Sequence, residues 1–143
     1  MSATEEEEQH LARTVMCILD EWGIQAADIL RILDLPDSFR ARHLDRCRNG
    51  GVLPDDENVR VRIDLILGIA EALRTSYPRN SHTGVLWLNR PHRRFDNRTP
   101  LHTMVEDGKS GLMAIRAELD CGYAWDLSQT QNAEPSAVEK AKT

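Results

Sequence analysis

Between Leu11 and Leu119 the large aliphatic side chains of this chain recur mostly at intervals of three and four residues, the spacing of a helix face and not of a half-buried strand. Leu11, Val15, Ile18, Leu19 and Trp22 make one stripe, Ile29, Leu30 and Leu33 a second, and Leu112, Ile115 and Leu119 a last one. Such stripes predict amphipathic helices that bury one face each. Without an internal repeat or a sustained heptad, they predict an all-α, compact multi-helix bundle of about seven helices.

The punctuation between stripes sets the boundaries. Thr4 with Glu7 is a capping box for a first helix that ends at Gly23. A second helix runs from about Gln25 to Leu33. Asp34 to Asp37 then turn the chain, and Asp37 or Ser38 caps a third helix reaching Arg48, stopped by Asn49-Gly50-Gly51. Pro54 and the acids after it open what reads as the longest helix, which Pro78 forbids from continuing. Thr83 to Asn89 reads as a short helix, and Thr99-Pro100 as an N-cap followed by proline at the first helical position. Asp107-Gly108 is a turn, and a final helix starts near Ser110 with Gly122 closing it. Past Leu127 the composition is too polar to order itself. The expected organisation is residues 1–53 as N-terminal helices with a divergent helix-turn-helix, 54–125 as a second helical unit, and 126–143 as a flexible tail.

A net charge of -5 argues against a surface that is wholly a nucleic-acid patch, yet Arg40, Arg42, Arg46 and Arg48 oppose only Asp45 between Phe39 and Leu53. With His43, these cations sit on the helix that follows a turn, where long basic side chains reach phosphates or guanine edges in a major groove. The alternative is a solvated face paired with Asp37 and Asp45. A second basic cluster, Arg90, His92, Arg93 and Arg94, suits an acidic partner surface or the phosphates of a bound nucleotide, or serves only solubility. Trp87 and Phe95 read as core anchors, whereas Tyr123 and Trp125, after Gly122, suit either an interface or back-packing onto the bundle.

Cys17, Cys47 and Cys121 lack a CxxC spacing and read as reduced, small core residues. His82, His92 and His102 recur every ten residues, which no metal geometry requires, so neither a metal nor another cofactor is expected. Gly-rich phosphate loops, GxSxG and HExxH are missing, so no catalytic residues are expected and the chain does not read as an enzyme. No apolar run approaches the roughly 18 residues of a membrane span, and the acidic N-terminus does not suit a secretory signal. A cytoplasmic location without membrane contact is the expectation.

Three segments, DDENVRVRIDLILGIAEALRTSYP, VLWLNRPHRRFDNRTPLHTM and GLMAIRAELDCG, resemble in order and spacing the toxin-binding domain of MbcA/ParS/Xre antitoxins. The features that carry the resemblance are Arg62 before LILGIAEAL, Trp87-Leu88 followed by Pro91, Phe95, the Thr99-Pro100-Leu101 helix start, the Gly108 turn, and Leu112 to Gly122. His92 and Asn97 depart from the usual Asn and Gly, and Asp34 stands at the tight-turn position where Gly is usual. The resemblance implies an Xre-type antitoxin that occludes the active site of a RES-domain, NAD-degrading toxin or a related ADP-ribosylating one. It also implies a homodimer that joins its toxin in a hetero-oligomer and represses its own operon by binding operator DNA. On that reading Arg40, Arg42, His43, Arg46 and Arg48 face DNA, and Arg90, His92, Arg93, Arg94, Tyr123 and Trp125 face the toxin. Trp87, Pro91, Phe95, Pro100, Gly108 and Gly122 shape the scaffold. The alternative is an orphan helix-turn-helix regulator or adaptor without a toxin.

Overall fold

A computed structural model of the protein describes the backbone of residues 4–131 and the side chains of residues 4–121. The chain is all-α: α1 (Glu5–Glu21), α2 (Ala26–Ile32), α3 (Ala41–Arg48), α4 (Glu57–Ser76), α5 (Ser81–Leu88), a 3-10 turn (Arg93–Phe95), α6 (Pro100–Asp107) and α7 (Lys109–Gln131). Among the described residues the only β-type pairing is an isolated bridge between His92 and Arg98.

Local chemistry explains most of the boundaries. The Thr4 hydroxyl accepts the Glu7 N–H at 3.1 Å while the Glu7 carboxylate accepts the Thr4 N–H at 2.8 Å, so the expected capping box forms. Gly23 leaves α1 at φ +81°, a conformation that costs a side-chain-bearing residue far more. Asp56 caps α4 by accepting from Asn58 and Val59. Asn80 starts α5 two residues before Thr83 by accepting the His82 N–H at 3.0 Å. Thr99 accepts from His102, with Pro100 at the first helical position as expected.

Two further boundaries differ from the sequence reading. Neither Asp37 nor Ser38 caps α3, because Pro36 to Phe39 closes a turn of its own, with Phe39 N–H donating to Pro36 O at 2.8 Å. The helix starts at Ala41 instead, with the Arg40 N–H donating to His43 Nδ1 at 2.8 Å. Gly122 does not stop α7, which continues to Gln131 and is longer than α4. A glycine inside a helix costs about 1 kcal/mol relative to alanine, too little to end one that residues on both sides propagate. The helix thereby reaches past Leu127, and positions 132–143 of the expected tail lie outside the described residues.

One hydrophobic core runs through the bundle. Leu19 of α1, Ile29 and Ile32 of α2, Leu44 of α3, Ile66 and Ile69 of α4, Leu88 of α5, Met104 of α6 and Leu112 and Ile115 of α7 are fully buried. Each contributes on the order of 1.5–3 kcal/mol through removal from water. The central helix α4 packs against α1, α5 and α7, while α2 packs against α3 and α6. The N-terminal helices therefore share their core with the helices that follow residue 54. Among the described residues no buried side-chain polar atom lacks a hydrogen-bond partner.

Two of the three cysteines are not core residues as expected: Cys17 and Cys121 are exposed, and only Cys47 is buried. The stripes explain this, since Cys17 lies between the buried positions Met16 and Leu19 of α1 but on the outward arc.

Candidate nucleic-acid and partner-binding surfaces

Helices α2 and α3 follow one another, joined by residues 33–40. Asp34 takes a left-handed conformation at φ +53°. Its carboxylate accepts from Asn58 Nδ2 at 2.8 Å, so a residue of α4 holds the turn. The turn is further held by Leu35 N–H donating to Leu30 O at 3.0 Å.

Arg62 joins this turn to the rest of the bundle. Its guanidinium, on a side chain only 13% exposed, lies 3.9 Å from Asp34 Oδ2. Nη1 donates to the Ile32 carbonyl at 3.0 Å, satisfying an acceptor in the last turn of α2. A Cβ on Gly108 would approach Arg62 Nη1 to 3.3 Å, which places the turn between α6 and α7 against the same guanidinium. Sequence reading singled out Arg62 only as a marker of resemblance, because its partners are distant in the chain.

The α3 cations divide into two groups. Arg40, Arg42 and Arg46 are exposed and form no ion pair among the described residues. Arg48 instead makes a two-point contact with Asp20 of α1, both bonds at 2.8 Å, and also reaches Asp45. The hydrogen bond that Arg48 donates to Asp20 leads the effects that raise the Arg48 pKa above its ordinary value. His43 is half-buried, its ring occupied by the Arg40 N–H and tilted against Phe39 with centroids 5.1 Å apart. Beside Phe39 an open groove of about 560 Å³ is lined by Leu30, Leu35, Pro36, Arg40 and Arg42 among others.

The loop from Arg90 to Arg98 is built around His92. That ring stacks near Trp87, with centroids at 5.0 Å, and meets Phe95 edge-on at 6.1 Å. Its main chain donates to Arg98 O and accepts from Phe95 and Asn97. Asp96 and Asn97 both take left-handed conformations, at φ +58° and +63°, the backbone a glycine favours. His92 therefore packs inside the loop. Arg94 pairs with Glu118 of α7 at 3.3 Å, whereas Arg90 and Arg93 are exposed without an ion pair among the described residues. Pro91 is exposed, Phe95 and Pro100 are buried, and Trp87 is half-buried against the core.

Arg98, absent from the expected site, anchors the loop's far end by bonding to Glu106 and Asp107 at 2.7–3.1 Å. Hydrogen bonding from Arg98 holds the Asp107 carboxyl below its usual range. Gly108 takes φ +64°, as a turn glycine should. Tyr123 and Trp125 lie on the last turns of α7, and their side chains fall outside the described residues.

Among the described residues no cluster of His, Cys, Asp or Glu is placed to hold a metal ion. No described helix is long and apolar enough to cross a membrane. No protein-family model matches the chain, and no curated protein does.

Proposed function

We propose that this protein is an antitoxin: it inhibits a toxin enzyme by protein-protein contact, has no catalytic activity of its own, and represses its operon through α3. The observation that carries the proposal is the left-handed Asp34 turn leading into α3, whose Arg40, Arg42 and Arg46 stand clear of internal ion pairs. Long cations in that position reach phosphates and base edges. The resemblance of residues 55–122 to the MbcA/ParS/Xre domain supports inhibition of a RES-domain or ADP-ribosylating toxin. Arg90 and Arg93, left exposed by a loop pinned at His92, suit contact with an acidic rim of the enzyme. A dimer follows from the two half-sites that a helix-turn-helix reads.

Co-expression with a RES-domain toxin, sought among the neighbouring genes, tests the inhibitor role. Abolished NAD loss is expected, and unchanged NAD turnover at saturating antitoxin rejects it. For the DNA role, replacing Arg40, Arg42 and Arg46 by Ala should weaken binding to the DNA upstream of its own gene. The slope of log affinity against log salt should flatten by roughly 1 per arginine.

A second reading, a DNA-binding regulator without a toxin, is favoured by one contrast. Arg40, Arg42 and Arg46 form no ion pair among the described residues, whereas His92 and Arg94 of the loop are engaged internally. Operator binding without any effect on the toxin is its expected signature.

A further inference from the structure

A cleft runs between α1 and α4 and ends at α5. Two adjoining hollows of about 480 and 370 Å³ form it, and Thr14 and Leu67 line both. Leu11 and Ile18 of α1, Leu67 and Ala70 of α4 and Val85 of α5 are half-buried, so the floor stays partly open. Glu7, Leu11, Thr14, Ile18 and Glu21 recur at helical spacing along one wall. At 1.5 Å per residue, the α1 wall from Glu6 to Trp22 is about 24 Å long.

The rim carries Glu6, Glu7, Glu8, Glu21 and Glu71, against only Arg60 and Arg74. Both arginines are already committed, Arg60 to Glu8 at 3.5 Å and Arg74 to Glu71. The Glu7 carboxylate caps α1 by accepting from the Thr4 N–H. Glu6 and Glu21 make no ion pair among the described residues. An apolar floor with uncompensated carboxylates along its edge is complementary to an amphipathic helix whose apolar stripe is flanked by Lys and Arg. Among the described residues no other helix is free to offer that combination: in the short, arginine-dense α3, Leu44 and Cys47 are already buried in the core.

We propose that the α1–α4 cleft docks a basic amphipathic helix of about four turns from a partner protein. This surface is distinct from α3 and from the 90–98 loop, and the proposal does not depend on a toxin or on DNA.

The test uses the full chain and a fluorescein-labelled peptide of leucine and lysine, about 16 residues long, with leucines at i, i+3, i+4 and i+7. Two controls accompany it: the same composition in an order without an apolar stripe, and a peptide with glutamate in place of lysine. Fluorescence anisotropy should show saturable binding of the first peptide alone, weakening with salt. Glu6→Lys with Glu21→Lys, both at exposed positions, should lower the affinity roughly tenfold or more. Thr14→Trp, which fills the junction of the two hollows, should abolish binding while circular dichroism and melting stay unchanged. If Thr14→Trp does not fold, backbone amide shifts of the native protein on titration decide, and they should cluster on α1, α4 and α5. Equal binding of the scrambled peptide, shifts centred elsewhere, or a concentration-dependent dimer that occupies the cleft would each overturn the proposal, the last in favour of a second copy.

Discussion

The Arg62 guanidinium donates to the Ile32 carbonyl across 3.0 Å, so a residue of the central helix closes the end of the helix that precedes the turn. The same group faces Asp34 in that turn and lies against Gly108 between α6 and α7. Removing it leaves a part-buried acceptor unpaired and Asp34 without its cationic neighbour. Arg62→Ala is expected to lower stability by about 2 kcal/mol, the range for hydrogen bonds from charged groups. Chemical denaturation measures the loss, and amide shifts should change around residues 32–37. A variant as stable as the parent, with that turn unperturbed, would show that Arg62 is dispensable.

Two glycines should respond oppositely to alanine. At Gly111 an added Cβ falls inside contact distance of the Thr103 carbonyl oxygen and 3.0 Å from Asp107 Cβ, so α6 and α7 must separate. Overpacking of this kind costs about 1–3 kcal/mol, and Gly111→Ala should lower the melting temperature accordingly. At Gly68 the nearest obstacle is the tip of the Arg116 side chain, which can move aside. Gly68→Ala should be neutral or stabilising, since alanine gains up to about 1 kcal/mol of helix propensity. A reversed order of the two melting temperatures contradicts this packing.

The Arg98–Asp107 pair, 3.0 Å apart, makes stability depend on acid. Because Asp107 is held below its ordinary value, the folded chain takes up this proton less readily than the unfolded one. Its contribution is fully present above the unfolded carboxylate pKa of about 3.9 and is lost as pH falls through the lower, folded value. Melting temperatures followed from about pH 5 to about pH 2 should fall less steeply for Asp107→Asn than for the parent. Parallel curves would remove Asp107 from the acid response.

Thiol chemistry should separate Cys47 from the others. Burial pushes the Cys47 thiol up, while Cys17 and Cys121 are exposed. Since the thiolate is the reactive form, alkylation under native conditions should modify two thiols quickly and the third only with unfolding. Three equally fast thiols would place Cys47 at the surface.

Much of this architecture was legible beforehand because its determinants are local. The Thr4–Glu7 box, the Thr99-Pro100 start and the Gly23 and Gly108 turns each depend on residues within a few positions of one another. Periodicity named the buried faces of α1, α2 and α7, since a helix turns its side chains by a constant angle. The start of α3 was misplaced because Asp37 and Ser38 are good caps by type, but Pro36 commits them to a turn. Gly122 was overrated because its cost is small against the helix formers around it.

The candidate surfaces were legible as residue types and not as states. Nothing in the order of Arg40, Arg42, Arg46 and Arg48 says that one of them will pair with Asp20, a residue 28 positions earlier. Nor does the position of His92 after Pro91 say that its ring will lie between Trp87 and Phe95. Short-range sterics and backbone hydrogen bonding determined where the helices of this protein form and which faces they bury. Which cations remain free, which are spent on the scaffold, and where two helices part to leave an acidic cleft were decided by tertiary packing alone. Charge pairing and groove shape depend on distances between segments that the chain brings together only on folding.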